Sequence, residues 1–312
     1  MGAVLSDLFN IFTHIVFPIL LIVAAGYVTE KKFRFELTAL TKLMFYVITP
    51  CLIFTRIYET SLSWQKYGLF SLFGLGMIVS MGVVGLLLSR LRHFSPSMRA
   101  AFLLSVMMCN SGNYALPVIE LMFNGNAYAS SIQLIVMTTQ GIINYTFGIF
   151  LMSRGSATFR ESVKNTFRYP LIYTVVLVFL FKGFDIPVWG PVWVTMEKIS
   201  IGFVPIALFT LGAQLARIRL GRRITSVFIS AGLRLLLAPC IGFCIIKLFG
   251  FSGITAQTLF VGTSMPSAVN TALLAVELKN ETEFASQAVF FSTLISFFTV
   301  SLAIWVARTW IG

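Results

Sequence analysis

Carboxylates are scarce in this sequence: Asp and Glu together number 11 among 312 residues, against 23 Lys and Arg. Most fall in connections or at the ends of apolar runs, and no pair of aspartates stands inside one. A cation–proton antiporter normally needs a deep carboxylate to bind its ion and exchange the proton, so this distribution argues against that class. Cys240 and Cys244 lie one helical turn apart, but no His or further Cys completes a ligand set, and Cys51 and Cys109 read as small buried hydrophobes. His14 likewise reads as a packed polar residue, since no partner cluster accompanies it. No catalytic dyad or metal set can be assembled, which excludes an enzyme and implies no cofactor. No G-x-x-x-x-G-K-[ST] motif is present, so energy must come from gradients or a partner.

Charge of any kind is low, at 11% of residues, whereas 57% are hydrophobic and mean hydropathy is +0.89. A water-soluble domain of this length could not carry such a surface, so the chain is an integral membrane protein. Apolar runs of bilayer length fall at 8–29, 36–57, 66–91, 98–123, 127–153, 167–184, 190–218, 223–250, 256–278 and 283–309. The longest connection, 154–166, is a short basic linker, which leaves no room for a soluble domain. The N-terminus has Asp7 and no basic residue before its apolar run, so span one is expected to be retained rather than cleaved.

The net charge of +12 would suggest nucleic acid in a soluble protein, but here the basic residues alternate between loops. Lys31, Lys32 and Arg34 follow span one; Arg90, Arg92 and Arg99 follow span three. Arg154, Arg160, Lys164 and Arg168 follow span five, and Arg217, Arg219, Arg222 and Arg223 follow span seven. The positive-inside rule therefore puts the odd-numbered loops in the cytoplasm and both termini outside an inner (plasma) membrane.

An odd number of spans per half makes the two halves enter the membrane from opposite sides, the pattern of an inverted repeat. Pro50 in "FYVITPCLIF" pairs with Pro205 in "IGFVPIALFTLG", and Pro117 in "NSGNYALPVIE" pairs with Pro266 in "FVGTSMPSAVNTALL". The repeats divide near residue 160, giving 1–160 and 161–312. Proline removes an N–H and crowds the preceding turn, so spans four and nine are expected to unwind around Pro117 and Pro266. Each half-helix that starts at such a break offers N–H groups and a partial positive charge to an anion.

Asn110, Asn113 and Asn270 lie within a few residues of these breaks, and neutral amides can orient a carboxylate. Gln133, Gln140 and Asn144 form a polar stripe on span five, and Ser267 follows the second proline. Arg234 lies about 11 residues beyond the basic loop, or roughly 16 Å along a helix, where it could pair with an anion or a carbonyl or snorkel outward. Glu120 and Glu277, toward the ends of the two interrupted spans, are either coupling carboxylates or interfacial anchors.

These residues resemble the auxin efflux carrier family, over essentially the whole chain. "NSGNYALP" is similar to that family's Asn-containing stretch ending in a crossover proline, here Asn110 and Pro117. "QLIVMTTQ" matches its Gln pair, "RLLLAP" its Arg followed by Pro at Arg234 and Pro239, and "MPSAVNTALLA" its bacterial organic-acid permease branch, with Pro266 and Asn270. Asn113 and Tyr114 depart from the family pattern, and the long cytoplasmic loop of plant members is missing.

The resemblance implies an all-α polytopic fold of the sodium/proton-antiporter or bile-acid-symporter kind. It would have ten helices in two inverted five-helix repeats, a scaffold of spans 1, 2, 6 and 7, and a transport domain of spans 3–5 and 8–10. It further implies a homodimer and elevator-type movement. The expected function is a secondary carrier of a small organic anion such as malate or an auxin-like acid. Asn110, Asn113, Asn270, Gln140 and Ser267 would bind it, Pro117 and Pro266 would mark the crossover, and Arg234, Glu120 and Glu277 would couple charge. The alternatives are a sodium-coupled bile-acid-type symporter, with Na⁺ or H⁺ as the ion, and a membrane sensor that does not transport.

Overall fold

The computed structural model describes residues 2–34, 36–60, 62–153, 159–167, 170–218 and 224–311, and these form helices and connections with no strand. Among the described residues, seven helices are long and apolar enough to cross a membrane. They are α1 (Val4–Phe33), α2 (Leu37–Glu59), α3 (Trp64–Leu91), α6 (Ala127–Met152), α9 (Gly190–Ala216), α10 (Ile224–Leu248) and α13 (Thr282–Ile311). Between them lie the shorter α4 (Pro96–Met107), α5 (Leu116–Met122), α7 (Phe159–Thr166) and α8 (Pro170–Gly183), and the pair α11 (Gly253–Thr263) and α12 (Val269–Glu277). The linker expected at 154–166 thus contains a helix, while Arg154, Arg168, Arg219, Arg222 and Arg223 lie outside the described residues.

Proline is accommodated in one recurring way. Widened, π-helical turns at Phe12–Val16, Met44–Ile48, Ser111–Ala115 and Leu233–Leu237 each end two residues before a proline, respectively Pro18, Pro50, Pro117 and Pro239. A proline cannot donate to the carbonyl four residues back and its ring crowds it; the extra residue in the turn moves that carbonyl aside. These helices therefore run on through their prolines.

Packing distinguishes the faces. On α3, Leu69, Leu72, Leu75, Val79, Val83 and Leu87 are all exposed and recur every three or four residues, one apolar stripe along the helix, as a lipid-facing side requires. At the contact of α1 with α9, a Cβ on Gly26 would lie 2.1 Å from the Phe209 carbonyl oxygen and one on Gly212 would lie 1.9 Å from that of Val23. Only glycine lets these two backbones approach so closely. Leu52, Ile53 and Ile57 of α2, Val178 and Phe179 of α8, and Phe203 and Ala207 of α9 share one buried cluster. A second, larger cluster joins α3, α4, α6 and α10 to α13 and also takes in α1.

Candidate functional site

Among the described residues, the apolar segments 96–122 and 253–277 are each interrupted, and their interruptions meet. The chain leaves α4 at Met107, runs extended through 108–110 and re-enters helix at Ser111; the second break spans 264–268, between α11 and α12. The Asn110 N–H donates to the Pro266 carbonyl at 2.8 Å, the Ala268 N–H donates to the Met108 carbonyl at 3.0 Å, and Cys109 faces Ser267 as in an antiparallel ribbon. Each break thus supplies part of the other's backbone pairing, which polar backbone away from water demands.

The location of the first break differs from expectation. Pro266 lies in the crossing, but Pro117 sits two residues into continuous helix behind its widened turn, well past the unwound 108–110. The ribbon pairing has a local two-fold relation that makes Pro266 the counterpart of Met108, not of Pro117. Small and polar residues at 109–113 set the first break; proline sets the second.

Side chains satisfy the remaining carbonyls. Gln133 Nε2 donates to the Ser111 carbonyl at 3.0 Å, and Gln140 Nε2 donates to that of Cys109, whose Sγ returns a bond to Gln140 Oε1 at 3.2 Å. Gly262 leaves room for Gln133, since a Cβ there would lie 2.6 Å from its Oε1. Ser267 is fully buried and its hydroxyl donates to the Ser105 carbonyl at 2.7 Å, so it braces the crossing.

Arg234, also buried, spends Nε on Met265 O (3.1 Å), Nη1 on Val106 O (3.1 Å) and Nη2 on Thr263 O (2.7 Å). It therefore caps the C-terminal ends of both α4 and α11, where the helix dipoles are negative. Among the described residues no carboxylate pairs with it; its charge is met by these three carbonyls and the two helix ends.

A cavity of about 270 Å³ opens onto this crossing. Asn110, Gly112, Asn113 and Asn270 form its inner end, at the starts of the two resumed helices, with Gln140 beside them. Asn110 is buried and its Nδ2 has no partner. The outer wall comes from α2, through Lys42 and Tyr46, and from α9, through Thr210 and Gln214, with Asn144 of α6 opposite. Among the described residues no carboxylate lines it, and Lys42 is the one charged residue that does.

Glu120 and Glu277 are not brought to this cavity. Glu120 takes a two-pronged bond from Arg56, 3.1 Å from Nε and 3.0 Å from Nη2, and a third from the Ser130 hydroxyl at 2.7 Å. Glu277 is exposed at the end of α12. Sequence reasoning missed Lys42, Tyr46, Thr210 and Gln214, although a signal existed: positions 42 and 46, and 210 and 214, are same-face helical pairs carrying polar groups within apolar spans. Among the described residues, no group of His, Cys, Asp and Glu could hold a metal ion.

Comparison with known proteins accords with this arrangement. The family model described as membrane transport protein matches residues 11–167 and 158–306. An uncharacterized transporter of Methanothermobacter thermautotrophicus is 25% identical over 301 residues, covering 94% of this chain and 97% of that protein. An uncharacterized transporter of Methanocaldococcus jannaschii is 23% identical over 156 residues, 49% of this chain and 50% of that one. With nearly its full length matched, and with its motifs and crossed broken helices in place, the chain belongs to the membrane transport protein family, that of the auxin efflux carriers, and is a multi-pass membrane transporter.

Proposed function

We propose that the protein is a secondary carrier of small organic anions that binds a substrate carboxylate at the crossing of its two broken helices. The observation that carries this reading is the charge of the cavity: among the described residues no acidic side chain lines it, Lys42 stands in its wall, and Arg234 lies behind the Cys109 and Gln140 that line it. The N-termini at Ser111 and Val269 add partial positive charge. Asn110, whose buried Nδ2 lacks a partner, would donate to the carboxylate together with Asn113 and Asn270, while Gln140 holds the strand that presents them. A bound anion satisfies a donor that otherwise remains buried and unpaired.

The cavity lies between α2 and α9 on one side and the crossing helices on the other, which suits movement of one bundle against the other. In this reading spans 1, 2, 6 and 7 (α1, α2, α8, α9) are the fixed scaffold and spans 3–5 and 8–10, three from each inverted repeat, are the moving bundle. Lys42, Asn144 and Gln214 mark the end toward which the cavity opens, and the loop charges assign that end to the cytoplasm. The Arg56–Glu120 pair joins the two bundles near the other end of α2. In this reading the arrangement is open inward.

Proteoliposome uptake of a panel of small carboxylates, with and without Na⁺ and a pH gradient, tests this. Saturable uptake of at least one acid, lost in Asn110→Ala, is the expected result. Na⁺ or H⁺ flux without any carboxylate uptake would refute it and point to a cation carrier.

A further inference from the structure

A second cavity lies away from the crossing, on the lipid-facing side of α3. α3 and α6 touch at Gly74, where a Cβ would lie 3.6 Å from Val136 and 3.7 Å from Thr139. Beyond that contact an apolar groove of about 530 Å³ opens between residues 75–86 of α3 and 143–151 of α6. The buried Leu103 and Met107 of α4 close its inner side. They come close under α3, because a Cβ on Gly82 would lie 3.3 Å from Met107 and one on Gly85 would lie 3.2 Å from Leu103. No lining residue has a polar side chain, so hydrocarbon is what the groove suits. From Leu75 to Leu86 the helix rises roughly 16 Å, about half the thickness of a bilayer's hydrocarbon core, which is the depth of one leaflet.

One end of the groove is basic. Val79, Val83 and Leu86 share a face of α3, and Arg90 continues that face one turn further. On α4, Arg99 stands one turn before Leu103, on the side that carries Leu103 and Met107. Arg90 is exposed, and among the described residues no carboxylate pairs with either arginine. Arg99 is half-buried; its Nε has no partner, and its bond from Nη2 to the Phe94 carbonyl is long, at 3.4 Å. A buried guanidinium N–H without an acceptor is costly, so this end lacks a negatively charged oxygen. On the orientation read from the loop charges it faces the cytoplasm, the side whose leaflet carries anionic lipid.

We propose that the groove between α3, α4 and α6 is a binding site for one anionic phospholipid, with an acyl chain between α3 and α6 and the phosphate at Arg90 and Arg99. A soluble phosphate would meet the arginines and leave the groove empty, and a zwitterionic lipid would fill the groove without net charge for the arginines. An anionic lipid uses both. Met107, against which the chain rests, is the last helical residue before the unwound 108–110, so the lipid packs on the end of α4 that leads into the crossing. The site does not depend on what the cavity at the crossing carries.

The test is lipid binding to the purified full chain in detergent, read by native mass spectrometry, with dioleoyl phosphatidylglycerol set against dioleoyl phosphatidylcholine, which has the same tails. Wild type is expected to hold one phosphatidylglycerol at least about tenfold more tightly than phosphatidylcholine. Arg90→Gln and Arg99→Gln should each cut that preference about fivefold, the worth of one basic side chain at a lipid surface, and leave phosphatidylcholine binding unchanged. Val83→Trp, which fills the groove, should weaken both lipids, and glycerol phosphate, a head group without tails, should not compete. Equal binding of the two lipids by wild type would overturn the proposal, as would a preference that survives in both arginine variants or competition by glycerol phosphate. So would Val83→Trp without effect on lipid, or with a changed oligomeric state, which would give the groove to a second copy of the chain. Arg90 is exposed, so its variant is expected to fold and carries the test even if Arg99→Gln does not. Thermal unfolding supplies a second readout: phosphatidylglycerol should raise the melting temperature of wild type more than phosphatidylcholine does, and equal shifts would count against the site.

Discussion

On the proposed carrier reading, removing the Arg56–Glu120 pair should shift the protein away from an inward-open state. The pair lies about 14 residues along α2 from Lys42, roughly 21 Å of helix, and joins α2 to α5 far from the Lys42 part of the cavity wall. Exposed ion pairs contribute only ~0.2–1 kcal/mol. This one is two-pronged, its side chains are only 23% and 11% exposed, and Ser130 completes the coordination of Glu120. Charge-assisted, partly desolvated pairs of that kind reach about 2 kcal/mol. If the pair exists only when the outer side is closed, Glu120→Gln should move the inward/outward equilibrium roughly 30-fold.

Asn270 is exposed to the cavity, so a cysteine placed there, with the four native cysteines replaced, reports access to an impermeant thiol reagent from each face. Labelling from the outside should rise in Glu120→Gln and in Arg56→Gln. The double variant should add little, because either change removes the same pair. Unchanged labelling in the single variants, or effects that simply add, would refute the latch.

Other consequences follow from the packing and the crossing. Gly212→Ala places a Cβ against the Val23 carbonyl, so α1 and α9 must separate; the purified protein should lose at least ~2 kcal/mol of stability, seen as a lower melting temperature in detergent, whereas Gly232→Ala, with open space around it, should change little. Arg234→Met leaves three carbonyls without donors and should destabilise by about 3 kcal/mol or more, while Arg234→Lys, which keeps the charge but not the fork, should retain the fold and lose at least about tenfold in uptake. Gln133→Leu should cost ~1–3 kcal/mol by orphaning the Ser111 carbonyl, measurable by thermal unfolding, with Gln133→Glu as the comparison of similar size.

The helices were legible because hydropathy is summed over some twenty residues, and their ends lie within a few residues of the expected spans. The polar breaks in spans four and nine were legible for the same reason: amides, serines and glycine stand out in an apolar run. Their register was not. Proline is the most visible breaker in sequence, yet a widened turn absorbs Pro117, and the unwinding moves to residues whose carbonyls Gln133 and Gln140 can satisfy. Arg234 could be marked as unusually deep, but its acceptors come from Val106, Thr263 and Met265, on segments far away in the chain. Ser267 stood out as a binding residue from its place beside Pro266, and only the three-dimensional contact with Ser105 shows it as a brace. The outer cavity wall depends on which faces of α2 and α9 meet the crossing, and for α9 the close approach to α1 at Gly26 and Gly212 constrains that choice. A single glycine in a membrane span gives little hint of it.

Binding of a small carboxylate to the purified protein, set beside the amine of the same carbon skeleton, decides whether the crossing is an anion site. Calorimetric titration of wild type should give saturable binding of the acid and none of the amine, with acid binding lost in Asn110→Ala while the variant still elutes and melts as wild type does. Binding of the amine in preference to the acid, or acid binding untouched by Asn110→Ala, would contradict it.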